Sequence, residues 1–278
     1  MLCNRRKFLL ALAAVPALAK IDGVAIGLSG GMENFAKAEA IGFDYFEPNV
    51  ALLSVLSDEA FAEIRKQVQS SRIRCECCNN FIRTLKVVGS EVDPKALKAY
   101  MDRMLDRCRE LGAKIVVWGS AGSRNVPAGY SRDTAWSQIK EFLHYAGDLA
   151  RSREIVLAIE PLRHPDSNII NTGAEALRLV HEVNHPNVKT MIDYYHMRSE
   201  KEDSEILVEA AAEIVHLHFA NPDGRKWPKN PDEDPEYARF FALLKQIHYQ
   251  QRLSIEGRGS IDTDGAASLE FFRREMEP

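Results

Sequence analysis

Short apolar or β-branched runs alternate with stretches of helical spacing from residue 24 almost to the C-terminus. The runs bounded by turn residues predict strands over 24–28, 43–47, 73–77, 115–118, 155–160, 189–193, 214–219 and 253–256. Between and after them, helical spacing predicts helices over 32–41, 58–71, 94–111, 134–152, 174–183, 204–212, 235–248 and 266–275. Several carry start signals: Ser57 before Asp58 and Glu59, Asp93 before Pro94, and Asp133-Thr134 ahead of the helix that holds Trp136. Eight strand–helix alternations predict an α/β fold closed into a parallel (β/α)8 TIM barrel, in preference to an open doubly wound sheet.

The first twenty residues break the pattern. Arg5, Arg6 and Lys7 precede an apolar, alanine-rich run from Phe8 to Ala19 that closes on Ala17-Leu18-Ala19, the order of a charged region, a hydrophobic region and a small-residue cleavage site. Asn4-Arg5-Arg6-Lys7-Phe8-Leu9-Leu10 further resembles a twin-arginine export signal. The run is shorter than the roughly 20 apolar residues of a membrane-spanning helix. The expected organisation is therefore an export signal at 1–19 and one barrel domain at 20–278, giving a periplasmic or otherwise exported protein with no stable membrane span once mature. The alternative is a frayed or membrane-anchoring N-terminal helix; without an export signal the protein would be cytoplasmic.

At 278 residues, 45% apolar and 27% charged, the chain suits a single domain with a substantial core. Its 36 basic and 40 acidic side chains give a net charge of -4, which offers no field to hold a nucleic-acid backbone. The first strand–helix turn, Gly27-Leu28-Ser29-Gly30-Gly31, lacks the GxGxxG spacing of a dinucleotide site and reads as a tight turn at Gly30-Gly31. Cys75, Cys77 and Cys78 crowd one strand and, with Cys108, read as buried thiols.

A parallel barrel points every strand's C-terminal end at one face, so strand-end polar residues converge there. Strands five to eight end in Glu160, in Asp193 followed by His196, in His216-Leu217-His218, and in Glu256. Three clustered carboxylates without a cation would repel one another, and a divalent ion resolves the conflict. Oxygen-rich ligation by Glu160, Asp193, His218 and Glu256, with a single imidazole, suits Mn²⁺, with Mg²⁺ or Co²⁺ as alternatives.

The segments Ile159-Glu160-Pro161-Leu162, Asn168-Ile169-Ile170-Asn171-Thr172, Asp193-Tyr194-Tyr195-His196-Met197, His216-Leu217-His218-Phe219-Ala220-Asn221, Gly224-Arg225 and Ser254-Ile255-Glu256-Gly257-Arg258 resemble the xylose isomerase-like TIM barrels. Within that family they are similar to the sugar phosphate isomerase/epimerase group, which includes ketose 3-epimerases and hydroxypyruvate isomerase. The loop Gly119-Ser120-Ala121-Gly122-Ser123-Arg124-Asn125-Val126-Pro127 adds to the resemblance. It implies one metal ion on the four residues above, Glu160 and Glu256 as the catalytic acid/base pair, and His196 and Arg225 as substrate-binding residues. A second substrate-contacting Glu of the ketose epimerases falls here on Asp166, one methylene shorter.

The expected activity is isomerisation or epimerisation of a carbohydrate by proton abstraction beside a carbonyl, through an enediolate. The same enolate could instead expel a glycosidic substituent, making a keto-glycoside lyase. A sugar-binding protein without catalysis would not need both glutamates, and a multi-zinc DNA-repair endonuclease would need more than the 8 histidines present. Arg124, Arg163 and His164 are the only phosphate-binding candidates and read rather as solvated loop residues; Trp118 and Trp227 are candidates for stacking on a sugar. The Pro- and charge-rich stretch 223–235 could be a lid or a contact of a homo-oligomer, a state the sequence neither requires nor excludes.

Overall fold

A computed structural model describes residues 23–277. The proposed export signal at 1–19 and the opening of the 20–278 domain, up to residue 22, lie outside the described residues. Among those described, no helix is long and apolar enough to cross a membrane.

Eight parallel strands form the barrel: β1 (Ala25–Gly30), β2 (Tyr45–Pro48), β3 (Cys77–Cys78), β4 (Ile115–Trp118), β5 (Val156–Ile159), β6 (Val188–Asp193), β7 (Ile214–Phe219) and β8 (Arg252–Ile255). The hydrogen-bonded order β2-β1-β8-β7-β6-β5-β4-β3 leaves one seam, between β2 and β3, which a single parallel bridge from Asn49 to Asn79 crosses. The expected third strand over 73–77 shrinks to two residues. Its earlier part runs past β2 with few ladder bonds, Phe46 N–H reaching Arg74 O at 3.0 Å.

The helices are α1 (Phe35–Ile41), α2 (Val50–Ser54), α3 (Asp58–Ser70), α4 (Pro94–Glu110), α5 (Ala121–Arg124), α6 (Arg132–Arg151), α7 (Gly173–Val183), α8 (Tyr194–Ser199), α9 (Ile206–Glu209), α10 (Tyr237–Gln246) and α11 (Ile261–Glu275). Capping sets several starts. Ser57 accepts from Ala60 N–H at 3.2 Å, and Asp93 accepts from Lys95 and Ala96 N–H at 3.0 Å with Pro94 at the first helical position. For α6 the cap is Ser131, not the expected Asp133, because the Ser131 hydroxyl takes the Thr134 N–H and leaves Asp133 in the first turn. The helix expected over 204–212 is only α9, since the connection after β6 spends its first residues on α8.

The barrel interior is filled by Ala25, Tyr45, Cys77, Ile115, Val117, Val156, Ala158, Met191 and Val215, and larger apolar layers pack between strands and helices. Gly27 lies inside β1, within the strand expected over 24–28. A Cβ there would overlap the Tyr45 ring, so its absence lets Tyr45 cross the interior and bond Ser254 Oγ at 2.7 Å. On the outer side, Phe219 stacks on Tyr194 at 4.3 Å between ring centroids and meets Phe240, Phe241 and Phe272 edge-on or stacked, which fixes β7 against α8, α10 and α11. Cys75, Cys77, Cys78 and Cys108 are buried free thiols, as expected.

Candidate metal centre and active site

The site is built at the C-terminal rim. Glu160 follows β5 and donates its N–H to Trp118 O of β4 at 3.3 Å, while Glu256 follows β8 and donates to Phe219 O of β7 at 3.1 Å. Asp193 ends β6, in register with His218 of β7. Ligand atoms of Glu160, Asp193, His218 and Glu256 therefore lie within 4.8 Å of one another, although the residues span almost a hundred positions of sequence.

Local chemistry shows what this cluster fits. Asp193 Oδ1 caps α8, accepting from Tyr195 N–H at 2.7 Å and His196 N–H at 3.4 Å; Oδ2 is buried and receives no hydrogen bond. A buried carboxylate oxygen without a hydrogen bond is costly, and the Arg225 guanidinium at 3.5 Å offsets this by charge alone. Glu160 Oε1 and Glu256 Oε2 stand 3.2 and 3.4 Å from His218 Nδ1, so two carboxylates converge on one imidazole nitrogen. Orphaned oxygen, oxygen-rich donors and a single nitrogen fit a divalent cation. Gly119 makes the arrangement possible, because a Cβ at that position would overlap the Glu160 carboxylate.

The charges respond strongly to one another. Burial opposes a proton on His218, but the carboxylates of Glu47, Glu256 and Glu160 outweigh it and hold the ring protonated well above histidine's ordinary range when no cation is present. Burial likewise works to raise Glu256, yet His218 and Arg225 prevail and bring its carboxyl down to about 2. Glu47, fully buried on β2, is held below the usual carboxylate range by the same balance, with His218 and His216 overcoming burial. His216 goes the other way, its charged form disfavoured chiefly by burial.

The expected substrate residues ring the cleft, a cavity of about 200 Å³ lined by Asn79, Asn80, Gly119, Ala121, Glu160, Leu162, Asp166, His196, Arg225 and Glu256. Arg225 Nη2 lies 2.5 Å from Glu256 Oε2 and 3.5 Å from Asp193 Oδ2. His196 Nε2 lies 3.5 Å from Asp193 Oδ2. Arg225 adopts φ 55°, a left-handed conformation uncommon outside glycine, immediately after Gly224 at φ 72°. Asp166 is at the rim, but Arg163 Nε donates to its carboxylate at 2.7 Å, so the shortened acid is already engaged. Tyr195 lies between two cations, with the Arg163 and Arg225 guanidiniums 4.8 and 4.9 Å from its ring centroid.

Other expectations fail on burial. Arg124 is fully buried and donates to Trp118 O at 2.9 Å and Glu160 O at 2.6 Å, so it ties the ends of β4 and β5 together and is not a solvated loop residue. Trp118 is sealed in the core against Phe142, and Trp227 is covered by the Gly257–Gly259 backbone, so neither offers a free face to a sugar. His164 is exposed and paired with Glu200, and Arg163 is partly exposed and paired with Asp166.

Sequence reasoning missed Glu47 and Asn79. Asn79 Nδ2 donates to Glu256 Oε1 at 3.0 Å and to Ser29 Oγ at 2.8 Å. Glu47 takes hydrogen bonds from both inward histidines of β7. A signal was present for it, since β2 ends Phe46-Glu47-Pro48 as β5 leads into Ile159-Glu160-Pro161.

Fold and site together define a parallel barrel whose rim carries a preformed four-residue cluster suited to a divalent ion. The chain belongs to the xylose isomerase-like TIM barrel family, whose profile matches residues 35–275. It is 27% identical to the L-ribulose 3-epimerase of Methylomonas sp. (strain DH-1), over 84% of this chain and 80% of that protein. It is 26% identical to the 3-dehydro-D-guloside 4-epimerase of Escherichia coli (strain K12), over 82% of this chain and 87% of that protein. The solved D-psicose 3-epimerase with D-tagatose from Clostridium cellulolyticum H10 superposes with a TM-score of 0.79 at 20% identity, covering 92% of this chain and all of that one. This membership makes the chain an enzyme of the isomerase and epimerase class.

Proposed function

We propose that the chain is a divalent-metal-dependent sugar epimerase or isomerase that moves a proton at a carbon next to a carbonyl, with Glu160 and Glu256 as the acid/base pair. The observation that carries this reading is the meeting of both carboxylates at His218 Nδ1 in one cleft, beside an Asp193 oxygen that receives no hydrogen bond. The two relatives above are named for inversion at C3 of a ketose and at C4 of a 3-dehydro sugar; each carbon adjoins a carbonyl. One chemistry covers both.

Glu160, Asp193, His218 and Glu256 would hold the ion, and Mn²⁺ matches the three carboxylates and one imidazole. When bound, it supplies Lewis-acid stabilisation of the negative oxygen that develops beside the reacting carbon. Glu256 is kept anionic by Asn79, Arg225 and His218. Glu160 Oε2 accepts no hydrogen bond among the described residues, which leaves it free to take or return a carbon-bound proton. Returning the proton to the opposite face of the carbon inverts it; returning it to the neighbouring carbon isomerises the sugar. His196 and Arg225 orient the substrate oxygens from the cleft wall. The N-terminal segment 1–19 extends the proposal to an exported enzyme acting on a free sugar or keto-glycoside.

Metal-stripped protein, restored with Mn²⁺, Mg²⁺ or Co²⁺ and incubated in D₂O with ketoses and keto-glycosides, tests the reading by proton NMR. Metal-dependent exchange beside the carbonyl, lost in Glu160→Gln and Glu256→Gln, is the expected result. Release of a glycosidic substituent would instead identify a lyase. Metal and sugar binding without exchange on any substrate would leave a binding protein.

A further inference from the structure

Glu47 stands apart from the four rim residues and belongs to none of the steps above. It is fully buried on β2, and each of its oxygens serves a different imidazole of β7: Oε1 is 3.0 Å from His218 Nε2, and Oε2 is 3.0 Å from His216 Nε2. The remaining nitrogen of His216, Nδ1, is 3.6 Å from Cys77 Sγ on β3. The remaining nitrogen of His218, Nδ1, faces Glu160 and Glu256. Strands β2, β3 and β7 thus contribute to one continuous line of polar groups that reaches Glu160 and Glu256, the residues after β5 and β8.

A carboxylate only accepts hydrogen bonds, which fixes the direction of this line. The Cys77 thiol, which burial keeps protonated, donates to His216 Nδ1; His216 Nε2–H donates to Glu47 Oε2; and His218 Nε2–H donates to Glu47 Oε1. A neutral imidazole carries one N–H. With no cation bound, His218 is charged and donates from both nitrogens; once a cation takes the place of the Nδ1 proton, the proton that Glu47 holds at Nε2 leaves the Nδ1 lone pair facing the carboxylate cluster.

Resting on the metal-centre reading, we propose that Glu47 is the positioning residue that sets the tautomer and ring orientation of His218 for cation binding, with His216 and Cys77 orienting Glu47 in turn. A rival use of the same atoms is a second cation site on Glu47, His216 and His218. The two 3.0 Å contacts argue against it, because each carboxylate oxygen has its own imidazole at hydrogen-bond length.

The discriminating variant is Glu47→Gln. An amide offers one oxygen and one NH₂, so it can accept from one Nε2–H only and must face the other imidazole with a donor. Metal-stripped full-length protein is titrated with Mn²⁺ by EPR, and histidine ¹⁵N shifts are read in Mg²⁺-loaded native protein. Native protein is expected to bind one Mn²⁺, with His218 in the Nε2–H form. Glu47→Gln, checked for folding by circular dichroism, is expected to bind it about 10- to 100-fold more weakly, with an altered EPR spectrum. A folded Glu47→Gln with native affinity and spectrum would overturn the proposal, as would two Mn²⁺ ions per native chain. Should Glu47→Gln fail to fold, the native ¹⁵N measurement still decides, since a proton on Nδ1 of His218 sinks the idea. Absence of Mn²⁺ binding by native protein would refute the metal centre itself and this inference with it. Native binding lost in Asp193→Asn but unchanged in Glu47→Gln would refute the inference alone.

Discussion

The carboxylate of Glu160 occupies the space where a side chain at Gly119 would begin. The overlapping atoms are the carboxylate end of a flexible side chain, with Glu160 Cβ in tight contact at 3.2 Å, so a methyl group at 119 is expected to swing the carboxylate aside with only a small adjustment of the barrel. Gly119→Ala should therefore keep its metal-free melting temperature while losing at least about tenfold in Mn²⁺ affinity. Isothermal titration beside a melting curve checks both halves; unchanged affinity would show that Glu160 has a second usable position.

Metal removal should be visible in stability. A ligand that binds only the folded state at 100 times its Kd adds about 2.7 kcal/mol. For a domain of this size each kcal/mol is worth roughly 2–4 °C. EDTA should thus lower the melting temperature by several degrees and Mn²⁺ should restore it. Asp193→Asn keeps the Oδ1 that caps α8 and replaces Oδ2, which receives no hydrogen bond, with an amide. It should remain folded and lose the Mn²⁺ increment; a melting curve that still rises with Mn²⁺ would remove Asp193 from the ligand set.

Arg124 is predicted to matter for folding and not for substrate. Burial pushes its pKa down to about 10, and its guanidinium satisfies two strand-end carbonyls. Arg124→Met leaves Glu160 O unpaired, at about 1–3 kcal/mol, while Trp118 O keeps only the Glu160 N–H. Chemical denaturation should show that loss. A variant with native stability but weakened binding of phosphorylated sugars would reverse the assignment.

His185 supplies a pH dependence remote from the rim. Its buried Nδ1 accepts from Asn187 N–H at 3.1 Å, and burial, opposed by Asp148, lowers its pKa below the ordinary value. As pH falls past about 6.5, the unfolded chain takes up the proton first, so stability is full above that pH and declines as pH drops toward the folded value. His216 shifts in the same direction in both proteins, so the comparison is differential. Melting temperatures of metal-free native protein between pH 7.5 and 5.5 should fall more steeply than those of His185→Gln, by a few degrees at most. Parallel curves would show that position 185 does not titrate differently on folding.

The sequence by itself determined the barrel and the four rim residues. Strand–helix alternation is a local, periodic property, and a parallel barrel brings strand ends together whatever their separation in the chain, so Glu160, Asp193, His218 and Glu256 could be read as one cluster before any coordinate was known. Tertiary structure alone decided what lies between strands. Glu47 reaches β7 through the barrel interior, Asn79 reaches Glu256 across the seam, Arg163 takes the carboxylate of Asp166, and Trp118 and Arg124 turn out sealed. Those relationships depend on side-chain direction and on which neighbour fills a given space, and neither leaves a period in the sequence. Strand ends announce where a residue is; only packing fixes what it touches.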